Sequence, residues 1–151
     1  MFSRILVPID FSEYTTDILT YATEIAQKFS STIHLIHVIP TMNYFAPYES
    51  FMSAENIVTV QGSLESEVER DLAEVANKIT GIPVTRAIRT GVSFVEIVEY
   101  VKTEDIDLVI MATHGRGGLE LIIGSAAEKV VRKSPCPVLT IRPAKKQFKS
   151  T

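Results

Sequence analysis

Short apolar runs alternate with amphipathic stretches along the chain and divide it into strand and helix segments. Residues 5–9, Ile5-Leu6-Val7-Pro8-Ile9, are continuously apolar, the mark of a strand covered on both faces. Pro8 cannot donate to a ladder, so this strand is expected to end there, with Asp10 at its carboxyl end. A helical spacing follows, with Ile18, Ala22, Ile25, Ala26 and Phe29 on one face, capped either by Asp10 with Glu13 or by Ser12. Residues 33–39 form a second apolar run, stopped by Pro40. Residues 63–79 carry a helical stripe of Leu64, Val68, Leu72, Val75 and Ile79, ended by Gly81. Residues 84–90 read as a strand, and Pro83, Arg86 and Arg89 mark it as an edge. Ser93-Phe94-Val95-Glu96 fits a capping box opening a helix whose face is Phe94, Ile97, Val98 and Val101. Residues 107–111 are the next buried strand. Ser125-Ala126-Ala127-Glu128 fits another capping box, opening a helix that buries Ala126, Ala127, Val130 and Val131. Val138, Leu139, Thr140 and Ile141 are the last strand.

Strands and helices thus alternate five times, which predicts an α/β fold with a parallel sheet and helices on both faces. The spacing does not give the strand order. Residues 41–61 break the alternation. They hold Met42, Tyr44, Phe45, Tyr48, Phe51 and Met52 around Pro47, an aromatic content that argues against plain disorder. Such an irregular insertion covers a ligand, packs on a partner, or folds back on its own domain.

Composition narrows the class. At 151 residues, 46% hydrophobic and 22% charged, the chain is one ordinary globular domain over residues 1–143. Residues 144–151 are a basic tail with Lys145, Lys146 and Lys149. The formal net charge of −3, with no large basic patch elsewhere, argues against a nucleic-acid partner. A single cysteine, Cys136, excludes an internal disulfide and suits a reducing, cytoplasmic setting. No apolar run approaches the roughly 20 residues needed to span a bilayer, so no membrane is expected. The start of the chain enters a strand pattern directly and does not read as a signal peptide.

The chemistry concentrates between the fourth strand and the fourth helix. Met111-Ala112-Thr113-His114-Gly115-Arg116-Gly117-Gly118 leaves the strand, and Gly124-Ser125 opens the helix. A strand, a glycine-rich turn and a helix start together suit a phosphate. Glycine lets the backbone approach closely, and the free amides of the first helical turn point at the anion. The plain alternative is a turn followed by a capped helix. No G-x-x-x-x-G-K-[ST] occurs, and Glu120 stands where G-x-G-x-x-G needs its third glycine. His34 and His37, three residues apart in one strand, fall on opposite faces and do not form a metal pair.

This stretch resembles the C-terminal signature of the universal stress protein family. The nucleotide-binding members of that family carry G-x-x-G, nine residues, then G-[ST]. Here Ala112-Thr113-His114-Gly115 is followed by eight residues and Gly124-Ser125, so the first glycine is replaced and the spacer is one residue short. Thr113-His114-Gly115-Arg116, Ala127-Glu128-Lys129-Val130-Val131 and Ser134-Pro135-Cys136-Pro137-Val138-Leu139 carry the rest of the resemblance. It implies a doubly wound, five-stranded parallel sheet of order 3-2-1-4-5. It implies an ATP, AMP or ADP site at Pro8, Ile9, Asp10, Val38, Met111, Ala112, Gly115, Gly124, Ser125 and Ala126, with Mg or Mn held through the phosphates. It also implies a homodimer formed through the last strand. Apart from the resemblance, Arg116 or Lys129 is placed either to neutralise phosphate charge or as a solvated surface residue.

With strand order 3-2-1-4-5 the first and fourth strands flank the switch point where ligands bind in open α/β sheets. Asp10 and the Gly115 turn would then meet at one crevice. Asp10 is either a ligand residue or a helix cap. Ala112 in place of glycine matters either because φ must be positive there or because a ligand approaches its Cα. Three functions follow: a cytoplasmic nucleotide-binding stress or signalling protein, an interaction protein of the same family without nucleotide, and a weak ATPase. No Ser–His–Asp arrangement, HExxH or Walker lysine supports the last.

Overall fold

The computed structural model describes residues 1–41, 54–114 and 123–142. The elements in chain order are β1 (Arg4–Pro8), α1 (Thr15–Phe29), β2 (Thr32–Pro40), α2 (Ala54–Asn77), β3 (Val84–Gly91), α3 (Ser93–Thr103), β4 (Leu108–Ala112), α4 (Ser125–Lys133) and β5 (Val138–Ile141). The strands form one parallel sheet in the order β3-β2-β1-β4-β5. This is the doubly wound order implied above, and β3 is an edge, as Pro83, Arg86 and Arg89 suggested.

Alternation along the strands sorts the core into two layers. Ile5, Val7, Ile33, Leu35, Leu108 and Ile110 face α1, through Ile18, Leu19, Ala22 and Ala26, and α2 through Leu72. Leu6, Ile36, Val38, Val109 and Met111 face the other way, onto Ile97, Tyr100 and Val101 of α3 and Ala127 and Val130 of α4. Each such aliphatic side chain stabilises the fold by roughly 1.5–3 kcal/mol when fully buried. Two points fasten the sheet. Ile9 N–H donates to Ile36 C=O at 2.7 Å. The Asp107 carboxylate accepts from the N–H groups of Ser3 and Arg4, both at 2.9 Å, and so ties the start of β1 beside β4. Asp107 therefore precedes the strand, and β4 begins at Leu108.

Several helix ends differ from expectation. Helix α2 begins at Ala54, so residues 54–61 of the stretch read as irregular are helical. Residues 42–53 of that stretch lie outside the described residues, as does the tail from 143 onward. Helix α2 ends at Asn77, and Gly81 takes φ +72° in the turn beyond it. Both capping boxes are displaced. Val92 and Gly124 hold the N-cap positions of α3 and α4, Ser93 and Ser125 are the first helical residues, and neither helix has a side-chain cap bond. Glu128, which a capping box would turn back, pairs instead with Arg132 at 2.9 Å. Val131 is exposed, because one narrow face of α4 suffices to bury Ala127 and Val130. No helix among the described residues is long and apolar enough to cross a membrane.

Candidate functional site

A cavity of about 340 Å³ opens at the carboxyl ends of β1, β2 and β4, beside the start of α4. Its volume falls in the range of small-molecule sites. Pro8, Ile9 and Asp10 line it from the end of β1, and Val38 from β2. Met111 and Ala112 line it from β4, and Gly124, Ser125 and Ala126 from the start of α4. The described residues of the expected site are therefore brought together. Gly115 and Arg116 lie outside the described residues. His37, Thr113 and His114 also line the cavity and were not expected there, nor were Ile18 of α1 and Ser93 and Ile97 of α3. A larger, more open groove of about 640 Å³ runs between α2 and β3, past Glu65, Glu69 and Arg86, away from these strand ends.

The β1 side of the cavity is built by a tight strap. Asp10 is exposed, and its Oδ1 accepts from Ser12 N–H at 2.9 Å; Ser12 Oγ in turn accepts from Tyr14 N–H at 3.3 Å. These are local turns ahead of the helix. Tyr14 holds the N-cap position of α1 without a side-chain cap bond, so neither Asp10 nor Ser12 caps it. Asp10 keeps a second carboxylate oxygen for other use. Phe11, between them, has φ +57°, and its ring lies 4.8 Å from the His37 ring. His37 Nδ1 is 2.6 Å from Ile9 C=O. A carbonyl can only accept, so Nδ1 carries the proton and the ring is held against the strap.

The other side is the start of α4. Gly124 N–H donates to Thr113 C=O at 2.7 Å, which pins the helix entry to the end of β4. The first intrahelical bond runs from Glu128 N–H to Gly124 C=O at 3.0 Å. The amides of Ser125, Ala126 and Ala127 precede it and have no side-chain cap. Together with the helix dipole they favour an anion at this end of the cavity. Ser125 is free of the capping role that would compete with ligand binding.

Ala112 has a defined meaning in this geometry. It is the last residue of β4, in register with Ile141. The described non-glycine residues with positive φ are Phe11, Ser30 and Asp105, so Ala112 is not strained. Its methyl matters only for the space left to a ligand. His34 and His37 lie on opposite faces of β2, and only His37 lines the cavity. His34 Nδ1 meets the Tyr100 hydroxyl at 2.9 Å in the α3 layer. Burial lowers the His34 pKa below 6.5, with Glu104 opposing and Arg4 assisting. Burial raises the Tyr100 pKa above 10.0, with Glu104 assisting and Arg89 opposing. Among the described residues no group of three His, Cys, Asp or Glu is placed to hold a metal ion.

Comparison with known proteins decides the family. The model of the Universal stress protein family matches residues 1–142. This chain belongs to the universal stress protein family. It is 30% identical over 156 aligned positions to the universal stress protein MJ0577 of Methanocaldococcus jannaschii, covering 94% of this chain and 96% of the relative. The solved MJ0577 structure superposes with a TM-score of 0.82 at 27% identity, over 96% of this chain and 99% of that one. Two more distant members share the universal stress protein fold. One was solved in complex with cAMP, with a TM-score of 0.67 at 15% identity over 94% of this chain and 98% of that one. The other, from Archaeoglobus fulgidus, was solved in complex with dAMP, with a TM-score of 0.58 at 19% identity over 93% and 99%.

Proposed function

We propose that this universal stress protein binds an adenine nucleotide, ATP first among them, in the cavity at the ends of β1, β2 and β4. In this reading it works as a cytoplasmic stress-response or signalling homodimer whose nucleotide state alters what it contacts. The observation that carries the reading is the uncapped start of α4, opening on the cavity that the expected site residues share. The amides of Ser125 and Ala126 and the Ser125 hydroxyl take phosphate oxygens, with Gly115 assigned to the same end by the family motif and the Arg116 guanidinium neutralising phosphate charge. Asp10, with one oxygen held by Ser12, offers the other to a ribose hydroxyl. The backbone of Val38 meets the base, and Pro8, Ile9, Met111 and Ala112 form the wall. The nucleotide complexes of related proteins support adenine as the base. A Mg or Mn ion would be held through the phosphates. The β5 edge, where Leu139 is exposed, provides the dimer surface through Val138, Leu139, Thr140 and Ile141.

Thermal unfolding of nucleotide-stripped protein tests this. ATP with magnesium at 100 times its dissociation constant stabilises the fold by about 2.7 kcal/mol. For a domain of this size that is a rise of roughly 5–10 °C. The rise is expected with ATP and not with adenosine at equal concentration. No rise at millimolar ATP contradicts the reading and favours an interaction protein without nucleotide.

A further inference from the structure

We infer that His114 is a ligand-contacting residue whose Nε2 donates to a phosphate oxygen of the bound nucleotide, with the Thr113 hydroxyl setting the ring's tautomer. This rests on the nucleotide reading above and goes beyond the residues that the motif resemblance supplies. His114 lines the cavity, is only 6% exposed, and has its Nε2 buried with no hydrogen-bond partner. A buried polar atom left unpaired opposes folding, and native interiors seldom tolerate one without a reason. The position is held firmly. Thr113 N–H donates to Ile141 C=O at 3.0 Å, and Thr113 C=O accepts from Gly124 N–H at 2.7 Å. The other ring nitrogen, Nδ1, is 2.8 Å from Thr113 Oγ1. The ring is thus fixed from one side, and His114 lines the ligand cavity with its other nitrogen buried and unpaired.

The chemistry of the neighbours indicates what the missing partner is. The same cavity takes the free amides of Ser125 and Ala126, so the ligand group at this end is an acceptor, and an anionic one is favoured. Nε2 can bond it only as an N–H. That form arises when the Thr113 hydroxyl donates to Nδ1, which leaves the proton on Nε2. In the opposite tautomer Nε2 would present a lone pair to the anion. Thr113 is therefore the positioning residue and His114 the contact. Binding supplies the partner that the empty protein lacks.

This arrangement predicts opposite effects of one substitution. In His114→Phe the ring's shape is retained and the unpaired nitrogen is removed. The Tm of the nucleotide-free protein should be unchanged or raised by up to roughly 5 °C. Its affinity for ATP with magnesium, measured by titration calorimetry, should fall roughly tenfold to a hundredfold. Adenosine, which lacks phosphate, should bind both proteins alike. His114→Gln, whose amide nitrogen can stand near the Nε2 position, should recover part of the ATP affinity. Thr113→Val should lose part of it. A purely structural histidine gives another pattern: a lower Tm or failure to fold for His114→Phe, or equal losses for ATP and adenosine. Either result overturns the inference, as does unchanged ATP affinity in His114→Phe or Thr113→Val. If the parent protein binds ATP and the variants bind it equally, this inference alone falls. If the parent binds no ATP, the nucleotide reading falls and takes this inference with it.

Discussion

Replacing Ala112 by glycine separates the two effects of its methyl group. Ala112 lies in extended β4 backbone, in register with Ile141, and its φ is not positive. Glycine therefore relieves no backbone strain. It adds chain entropy to the unfolded state and weakens a strand interior by about 0.5–1 kcal/mol. The ligand-free Tm should fall by roughly 1–4 °C. The methyl also stands on the cavity wall, where the family motif has a glycine. A methyl that overfills a packed site typically costs about 1–3 kcal/mol. Taking the lower half of that range, ATP should bind Ala112→Gly roughly 5- to 30-fold more tightly. Titration calorimetry on stripped parent and variant, with a thermal melt of each, reads both quantities. Tighter binding with a lower ligand-free Tm is the expected pair. Unchanged or weaker binding would show that the methyl does not crowd the nucleotide and would refute the steric account.

The His34–Tyr100 pair predicts the pH profile of stability. His34 has its pKa lowered in the fold, so the folded state binds fewer protons than the unfolded chain. Its stabilising contribution is present above about pH 6.5 and is lost as pH falls from there through the folded value. His34→Phe should flatten this acid limb of a urea midpoint against pH curve, and an unaltered limb would contradict the assignment. Tyr100 has its pKa raised, so its contribution is present below about pH 10 and is lost as pH rises through the folded value. Tyr100→Phe should remove that alkaline dependence and, by leaving His34 Nδ1 unpaired, destabilise by about 1–3 kcal/mol at pH 7. No loss at pH 7 would mean that Nδ1 finds another partner. For the dimer surface, Leu139→Lys on the β5 edge should give a monomer by light scattering while retaining ATP binding. A dimer that survives this change does not use β5.

That helices cover both faces of the sheet was legible because its inner strands are continuous apolar runs; which residue faces which layer came from the structure. Leu6, Ile36 and Val38 answer to α3 and α4, while Ile5, Val7 and Leu35 answer to α1 and α2. The helix starts were less legible. The S-x-x-E pattern at Ser93 and Ser125 fits a capping box, yet each serine sits one position inside its helix, with Val92 and Gly124 before it. A pattern of two residues does not resolve a one-residue shift when the preceding residue also accepts extended geometry. Helix α2 reached back to Ala54 through the β-branched run Ile57-Val58-Thr59-Val60 and Gly62, all poor helix formers. A long helix propagates through such residues once it is nucleated and packed. In the site, Asp10 and the Gly124-Ser125 start were readable because strand ends and helix starts leave signals. His114 was not, because burial of a polar atom without a partner is a property of the assembled cavity. Its place inside the glycine motif was the available signal.

The most direct test of the nucleotide site is an amide NMR titration of nitrogen-15-labelled, nucleotide-stripped protein with ATP and magnesium. The account predicts saturable shifts at Gly124, Ser125, Ala126 and Ala127, and at Asp10 and Val38 across the cavity. Residues lining the groove between α2 and β3, such as Glu69 and Arg86, should stay unmoved. Shifts confined to that groove, or none at millimolar ATP, would contradict the proposal that the uncapped start of α4 is a phosphate site.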